Sequence, residues 1–344
     1  MNDTNNTKGC LVRSSINVDE YLSVEHIVRE GETIGSSAYS RRPGGKGANA
    51  AVALAKAGIR VSFVGLIGQD AMWLKETIEG YGVNVDQLMA ISELPTGRAI
   101  IQVSHTGENS IVLVHGANHA PSNAWPPLTI DGRLYSHLLL QNEIPLSETC
   151  AALKTAKKCE ISTIFNPSPL PSRSEIQNVI PWSTVDWLIV NQEEARALTK
   201  ACDRPDHQAD VDLKIEFGQT DELQDTLIKL IRSSFANIGV VMTLGANGCQ
   251  VGFRANSGEK AWTLFSSLAS KGTRPVIDTT GAGDCFTAYF IAQLMNMESE
   301  KPLSLEDVKR ASSLAGKAAR ICVEKEGTID SYPSLKEVMS ITTD

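Results

Sequence analysis

The sequence predicts an α/β fold: a doubly wound, mainly parallel sheet between helix layers, Rossmann-like in its three layers, with a small β-sheet lid outside it. Short apolar runs recur at Val61–Ile67, His137–Gln141, Ile161–Phe165, Trp187–Val190 and Ile238–Thr243. Between them lie amphipathic stretches such as Glu148–Lys158 and Glu222–Arg232, whose apolar residues are three and four apart. Strand-like runs alternating with helical ones make a parallel sheet covered on both faces. Two segments break the alternation. Glu20–Arg42 and Gly97–His115 read as strand–turn–strand pieces, with β-rich runs Ala99–Ser104 and Ser110–Val114 around Gly107. They are assigned to the lid, at about 20–42 and 97–115, inserted in one domain spanning 1–344. Asp203–Glu222, polar and Asp-rich, reads as a solvated surface insertion.

The bulk composition narrows the function classes. With 344 residues and 42% apolar content the chain can bury a large core. A formal net charge of −8 argues against nucleic acid and anionic membrane as partners. Seven scattered cysteines without a C-x-x-C pair suit reduced thiols, not a disulfide framework or a zinc site. The N-terminal MNDTNNTKG has no apolar core, so no secretory signal is expected; Lys56 and Arg60 interrupt the most apolar stretch, so no membrane span is expected. The compartment reads as cytosolic, with the nucleus also open to it.

Loops after strands carry the chemistry of such sheets. The strongest motif is Asp278-Thr279-Thr280-Gly281-Ala282-Gly283-Asp284-Cys285-Phe286, followed by the apolar helical stretch Thr287–Met295. Gly281 and Gly283 permit tight turns and close approach of an oxyanion to backbone N–H groups, and a helix starting there adds partial positive charge. Asp284 at that start is expected to stay anionic and to accept a proton from a hydroxyl; the plainer alternative is a helix cap.

A second loop, Gly44-Gly45-Lys46-Gly47-Ala48-Asn49, precedes the helical stretch Ala50–Ala57. Lys46 is followed by Gly47, not Ser or Thr, so this is no Walker A loop. Gly45-x-Gly47-x-x-Ala50 matches a loose dinucleotide fingerprint, but Ser40-Arg41-Arg42-Pro43 before it is no buried strand. Glycines, one Lys and one Asn at a helix start suit a polyhydroxyl ligand.

Thr243-Leu244-Gly245-Ala246-Asn247-Gly248 follows an apolar strand and is read either as a nucleotide loop or as an ordinary turn. Asn191 and Glu194 open a helix after Trp187–Val190; they could hold hydrated Mg²⁺ near phosphates, or simply cap the helix. Glu143 follows His137–Gln141, and Asn17 and Asp19 follow Cys10–Ile16, so all three are placed at strand ends as hydroxyl-binding groups. His115 and His119 are four apart, but Gly116 and Asn118 argue against a helical zinc pair. No G-x-S-x-G elbow or histidine triad is present.

In this order the motifs resemble the ribokinase/PfkB carbohydrate kinase family from about Ser14 to Pro333. The resemblance is carried chiefly by Gly44–Asn49 and Asp278–Phe286. Lys46, Leu140-Gln141-Asn142-Glu143 and Asn166-Pro167-Ser168-Pro169 have the form of the ribokinase branch. The resemblance implies ATP-dependent phosphorylation of D-ribose at O5. Asp284 is then the catalytic base and Gly281, Ala282 and Gly283 the anion hole. The sugar is held by Asn17, Asp19, Gly45, Lys46, Asn49, Glu143 and Asp284. The nucleotide is met by Asn191, Thr243, Gly245, Asn247, Gly248, Gly283 and Asp284, with Glu194 reaching Mg²⁺ through water. It also implies a K⁺ site at Asp278, Thr280, Cys322, Lys325, Gly327 and Ser331, Cys322 and Lys325 through their carbonyls, and a homodimer through the lid. Where bacterial members often carry His beside adenine, this chain has Gly316. The alternatives are a kinase of another sugar or a nucleoside, a silent sugar- or nucleotide-binding regulator, and, third, a Rossmann dehydrogenase.

Overall fold

The computed structural model describes residues 8–121, 129–130, 133–202, 211–216, 222–233, 235, 237–254, 261–270, 272, 274–297 and 303–341. In chain order the elements are β1 (Gly9–Arg13), β2 (Asn17–Val24), β3 (Ala38–Gly44), α1 (Lys46–Lys56), β4 (Arg60–Gly68), α2 (Trp73–Gly80), β5 (Leu88–Ile91), β6 (Gly97–Ser104) and β7 (Asn109–Val114). A two-strand ribbon follows, β8 (Thr129–Ile130) and β9 (Arg133–Leu134), then β10 (His137–Gln141), α3 (Leu146–Lys158), β11 (Ser162–Asn166), α4 (Arg173–Asn178), β12 (Trp187–Asn191) and α5 (Gln192–Cys202). The last part holds β13 (Leu213–Ile215), α6 (Glu222–Arg232), β14 (Gly239–Thr243), β15 (Cys249–Phe253), β16 (Trp262–Ser267), α7 (Ala282–Met297), α8 (Leu305–Cys322) and α9 (Leu335–Ser340).

The main sheet has the order β13-β16-β15-β14-β12-β11-β10-β1-β4-β5. From β14 to β5 every neighbouring pair is parallel. β15 runs antiparallel to both β14 and β16, so one end of the sheet is mixed. Alternate residues of the buried strands feed two cores. One gathers Val12, Phe63, Leu139 and Ile189 against α1, α7 and α8; the other gathers Leu11, Leu138, Phe165 and Leu188 against α3, α5 and α6. α7 is buried on nearly every side, from Asp284 to Met295. That explains a helix whose sequence is apolar all round, with no solvent stripe.

The lid is a second sheet of order β3-β2-β6-β7. β2 pairs antiparallel with β3 and parallel with β6, and β6 pairs antiparallel with β7. Gly97, Ala99 and Ile101 turn one face inward, whereas Ile111, Val112, Leu113 and Val114 on the outer strand are exposed. β1 ends at Arg13, so Asn17 and Asp19 do not close a core strand; they open the lid strand β2. Most of the polar stretch 203–222 lies outside the described residues, and its part Leu213–Ile215 is a strand at the sheet edge, parallel to β16. All seven cysteines are free, and six of them are buried. Among the described residues no helix is long and apolar enough to cross a membrane.

Candidate active site

Two helix N-termini meet under the lid. At the first, Gly45 has φ +88° and α1 begins at Lys46. A Cβ on Gly44 would lie 2.0 Å from the Asp19 carboxyl group, and one on Gly47 2.6 Å from Ser14 Cβ. Only bare backbone lets these loops approach so closely. The Lys46 N–H donates to Glu143 Oε2 at 3.0 Å, and Ser15 Oγ donates to the same oxygen. Asn49 Nδ2 donates to Asp284 Oδ2 at 3.0 Å, and Lys46 Nζ lies 4.0 Å from Asp284 Oδ1. Asn17, Asp19, Lys46, Asn49, Glu143 and Asp284 thus stand at one cleft, although they come from four separate places in the chain. Ser15 was not foreseen; a lone Ser in a loop gives no signal until Glu143 is beside it.

Burial and charge set the protonation of this cluster. Burial pushes the Asp19 carboxyl up to about 7, with the charges of Glu143 and Asp284 adding to it. The Asp284 carboxyl is also raised above the ordinary carboxylate range, chiefly by burial. Lys46 and the Asn49 donor pull it down, while Glu143 and Glu194 push it up. Burial thus outweighs the favourable partners of Asp284 and raises its proton affinity. The Lys46 ammonium is raised, first by Asp284, against the opposing effect of burial. Among the described residues Asp19 Oδ1 and Asn49 Oδ1 are buried acceptors without a partner.

At the second N-terminus Gly281 has φ +75° and α7 begins at Ala282. The Ala282 N–H donates to Thr279 O at 3.3 Å, whereas those of Gly281 and Gly283 have no acceptor among the described residues. A Cβ on Gly281 would lie 2.6 Å from the Tyr332 hydroxyl, but one on Gly283 would meet nothing within 4 Å. Behind this turn, Asp278 Oδ1 accepts from Thr280 N and Oδ2 from Gly327 N, both at 2.9 Å. Cys322 Sγ lies 3.1 Å from Ser331 Oγ, and Lys325 N donates to Cys322 O at 3.1 Å. Cys322 Sγ also approaches Thr280 O at 4.0 Å, so the six positions Asp278, Thr280, Cys322, Lys325, Gly327 and Ser331 are linked in one set of contacts.

The residues that the sequence assigns to a nucleotide lie along the neighbouring strand ends, where Asn191 on β12 is in register with Thr243 on β14. Gly245 and Gly248 have φ +55° and +88°, and a Cβ on Gly248 would lie 2.0 Å from Ser267 O, so the Gly245–Asn247 turn is tied to β16. Asn191 N donates to Glu194 Oε2 at 2.9 Å and Glu194 N donates to Asn191 Oδ1 at 2.8 Å. The capping alternative is thus what these two residues do; Asn191 Oδ1 is committed to the helix, though the Glu194 charge still acts on Lys46 and Asp284. Gly316 faces Ser270, whose Oγ is 4.0 Å from where a Cβ would stand. His115 and His119 stack with ring centroids 3.9 Å apart in a short turn. Arg42 on β3 pairs with Glu326 at 2.6 Å, linking lid and phosphate-side loop.

Known proteins with this arrangement agree on its class. Residues 8–335 match the pfkB family of carbohydrate kinases. The chain is 32% identical to the ribokinase of Schizosaccharomyces pombe over 339 residues, covering 95% of this chain and 96% of that protein. It superimposes on the crystal structure of the ribokinase from Cryptococcus neoformans in complex with ADP with a TM-score of 0.80 at 39% identity, covering 97% of this chain and 98% of that one. With the Arabidopsis thaliana ribokinase complexed with ribose and ATP the TM-score is 0.74 at 29% identity, with the same coverage. The chain belongs to the pfkB family of carbohydrate kinases.

Proposed function

We propose that this kinase transfers the γ-phosphoryl group of ATP to the O5 hydroxyl of D-ribose, giving D-ribose 5-phosphate and ADP. One observation carries the reading: Asp284 is shared by two constellations, the buried acceptors around Asn49 and the free N–H groups at the start of α7. A hydroxyl bound among the former faces a phosphate bound at the latter. Asp284, its proton affinity raised by burial, takes the O5 proton as the O5–phosphorus bond forms and the bond to the bridging oxygen of ADP breaks. The Gly281 and Gly283 N–H groups, and the N-terminus of α7 behind them, stabilise the charge on the transferring group. Asn17, Asp19, Glu143 and the Gly45–Lys46 turn hold the remaining hydroxyls, fixing O5 for in-line attack. Lys46, held near Asp284 by charge, moderates the carboxylate and offers a donor to the sugar. The lid keeps water from competing as acceptor.

The nucleotide is assigned to Asn191, Thr243, Gly245, Asn247 and Gly248. Mg²⁺ fits beside Glu194, one of whose oxygens is left free by the cap; when bound it neutralises phosphate charge. A monovalent cation, K⁺, is assigned to the Asp278 turn, where the Asp278 carboxylate, the Ser331 hydroxyl and the carbonyls of Thr280, Cys322, Lys325 and Gly327 would hold it; the Arg42 guanidinium, beside Gly327 and paired with Glu326, borders that turn. It would hold the Gly281–Gly283 turn in place. The exposed Ile111–Val114 row on the outer lid strand supports a homodimer formed there. A cytosolic location suits its free thiols. A coupled assay over a panel of sugars and nucleosides tests the substrate: ribose should give the largest kcat/KM, and a nucleoside or hexose ahead of it would replace the reading. Rates compared in K⁺ and Na⁺ at constant ionic strength test the cation, and equal rates would remove it.

A further inference from the structure

We infer that Asn118 is a positioning residue that fixes the amide of Asn17 so that its Nδ2, a donor, faces the bound sugar. The inference rests on the assignment of Asn17 to the sugar site, but its core is geometry. Asn118 is 6% exposed and sits in the short turn Gly116–His119 that follows the lid strand β7. Its Oδ1 accepts from the Ile16 N–H at 3.0 Å and its Nδ2 donates to the Ile16 carbonyl at 3.1 Å. The side-chain amide therefore reads both backbone groups of Ile16 as a neighbouring strand would. Flipping it would set donor against donor and acceptor against acceptor, so its orientation is fixed by main chain alone.

The same Nδ2 donates its second proton to Asn17 Oδ1 at 2.7 Å. Asn17 is thereby fixed in turn: its oxygen must face Asn118, and its Nδ2 must point the other way. That Nδ2 donates to no other group among the described residues. The close approach depends on Gly97, which pairs with Asn17 across β2 and β6. A Cβ on Gly97 would stand 2.1 Å from Asn118 Nδ2 and 2.4 Å from Asn17 Oδ1.

The direction matters because the cleft is rich in acceptors. Asp19 Oδ1 and Asn49 Oδ1 are buried without donors, and Glu143 and Asp284 add two carboxyl groups. Each sugar hydroxyl has one hydrogen to give; once a carboxylate takes it, the oxygen can only accept. An Asn17 amide turned the other way would add one more acceptor and leave a sugar oxygen without a donor. Asn118 thus selects for a hydroxyl at this place, without touching it.

A double-mutant cycle on the full-length enzyme tests this. Asn118→Ala and Asn17→Ala should each raise the KM for ribose about tenfold, the value of one lost hydrogen bond, with the same change in kcat in both variants, while the KM for ATP stays within about twofold. In the Asn17→Ala background Asn118→Ala should add nothing further. An equal tenfold rise in that background would overturn the inference, since Asn118 would then act through general packing. Asn17→Asp is the second variant, in case Asn118→Ala fails to fold: it keeps the oxygen that Asn118 holds and replaces only the donor. It should fold and raise the ribose KM at least as much as Asn17→Ala; a wild-type KM would overturn the inference by itself. If the unmodified enzyme does not turn over ribose, the substrate assignment has failed instead, and the cycle is read on the best substrate of the panel.

Discussion

The two glycine-led helix starts look alike and part at one position, Gly283. Gly45 and Gly281 both adopt left-handed φ before a helix, and α1 and α7 both aim their N-termini at the cleft. In the Gly44–Gly47 loop the missing side chains make room for the protein itself, since Cβ atoms there would strike the Asp19 carboxyl group, Ser14, Ser15 and Phe63. At Gly283 no protein atom is within reach of a Cβ. A glycine inside a helix that crowds nothing costs stability relative to Ala. Its retention is explained by what must come close from outside. At Gly281, beside Tyr332, glycine is again a matter of folding; at Gly283 it leaves room for a ligand to approach.

Asp284→Asn, at the second loop, should have the largest effect: turnover falls about 10²–10⁴-fold, with ribose and ATP affinity nearly unchanged, because the amide keeps the shape and loses the base. Steady-state kinetics beside equilibrium binding measure both, and near-wild-type turnover would leave the loop without its chemistry. The glycines themselves give the sharpest contrast. Gly283→Ala should raise the melting temperature, by about 0.5–1 kcal/mol of helix stability, and lower kcat/KM for ATP by at least about tenfold. Gly47→Ala should do the reverse in stability, losing about 1–3 kcal/mol to overpacking. Thermal melts and initial rates on both variants would erase the distinction if the two behaved alike.

Asp19 extends the comparison to pH. Its folded value is about 7 against an ordinary 3.8. Below about pH 4 both states hold the proton and no penalty exists; between about 4 and 7 only the unfolded chain releases it, so this group lowers stability as pH rises, and the loss levels off above about 7. Asp19→Asn should remove that slope and stabilise the protein by on the order of 1–3 kcal/mol more at about pH 8 than at about pH 5. Urea unfolding at both values checks it, and parallel curves for the two proteins would place the proton elsewhere. The smallest effect belongs to the link between lid and phosphate-side loop. Glu326 is 71% exposed in its pair with Arg42, so Glu326→Ala should change stability by less than about 1 kcal/mol and KM by no more than about threefold. A larger loss would make the two ends of the site one unit.

The parts of this molecule that were legible in the sequence are those governed by neighbours in the chain. His137–Gln141 and Glu222–Arg232 begin and end where their apolar spacing places them. The Ser304 cap with Asp307 three residues on announces α8 just as plainly. What could not be read depends on distant pairing. Local pattern carries no strand direction, so the antiparallel β15 was invisible, and Asn17 and Asp19 were placed at a core strand end although they open the lid. The protonation of Asp284 turns on burial against residues far away in sequence. Asn118 has no motif of its own, and its partner Asn17 lies 101 positions earlier. For Asn191 and Glu194 the helix cap, the plainer of the two alternatives, is the one the backbone adopts.

The bond between Asn49 and Asp284 joins residues 235 positions apart, and β1, the first strand of the chain, lies between β10 and β4, inside the main sheet and not at its rim. A growing chain therefore carries its sugar-side groups for most of its synthesis with no base beside them. The last helices must dock before a phosphate can meet a hydroxyl. Long-range closures of this kind form late in folding, because the entropy of the intervening chain is lost before the contact is gained. A chain that ends before residue 284 lacks the carboxylate that Asn49 meets. Phosphoryl transfer becomes a property of the finished chain alone, which makes activity a direct report that synthesis and folding have both gone to completion.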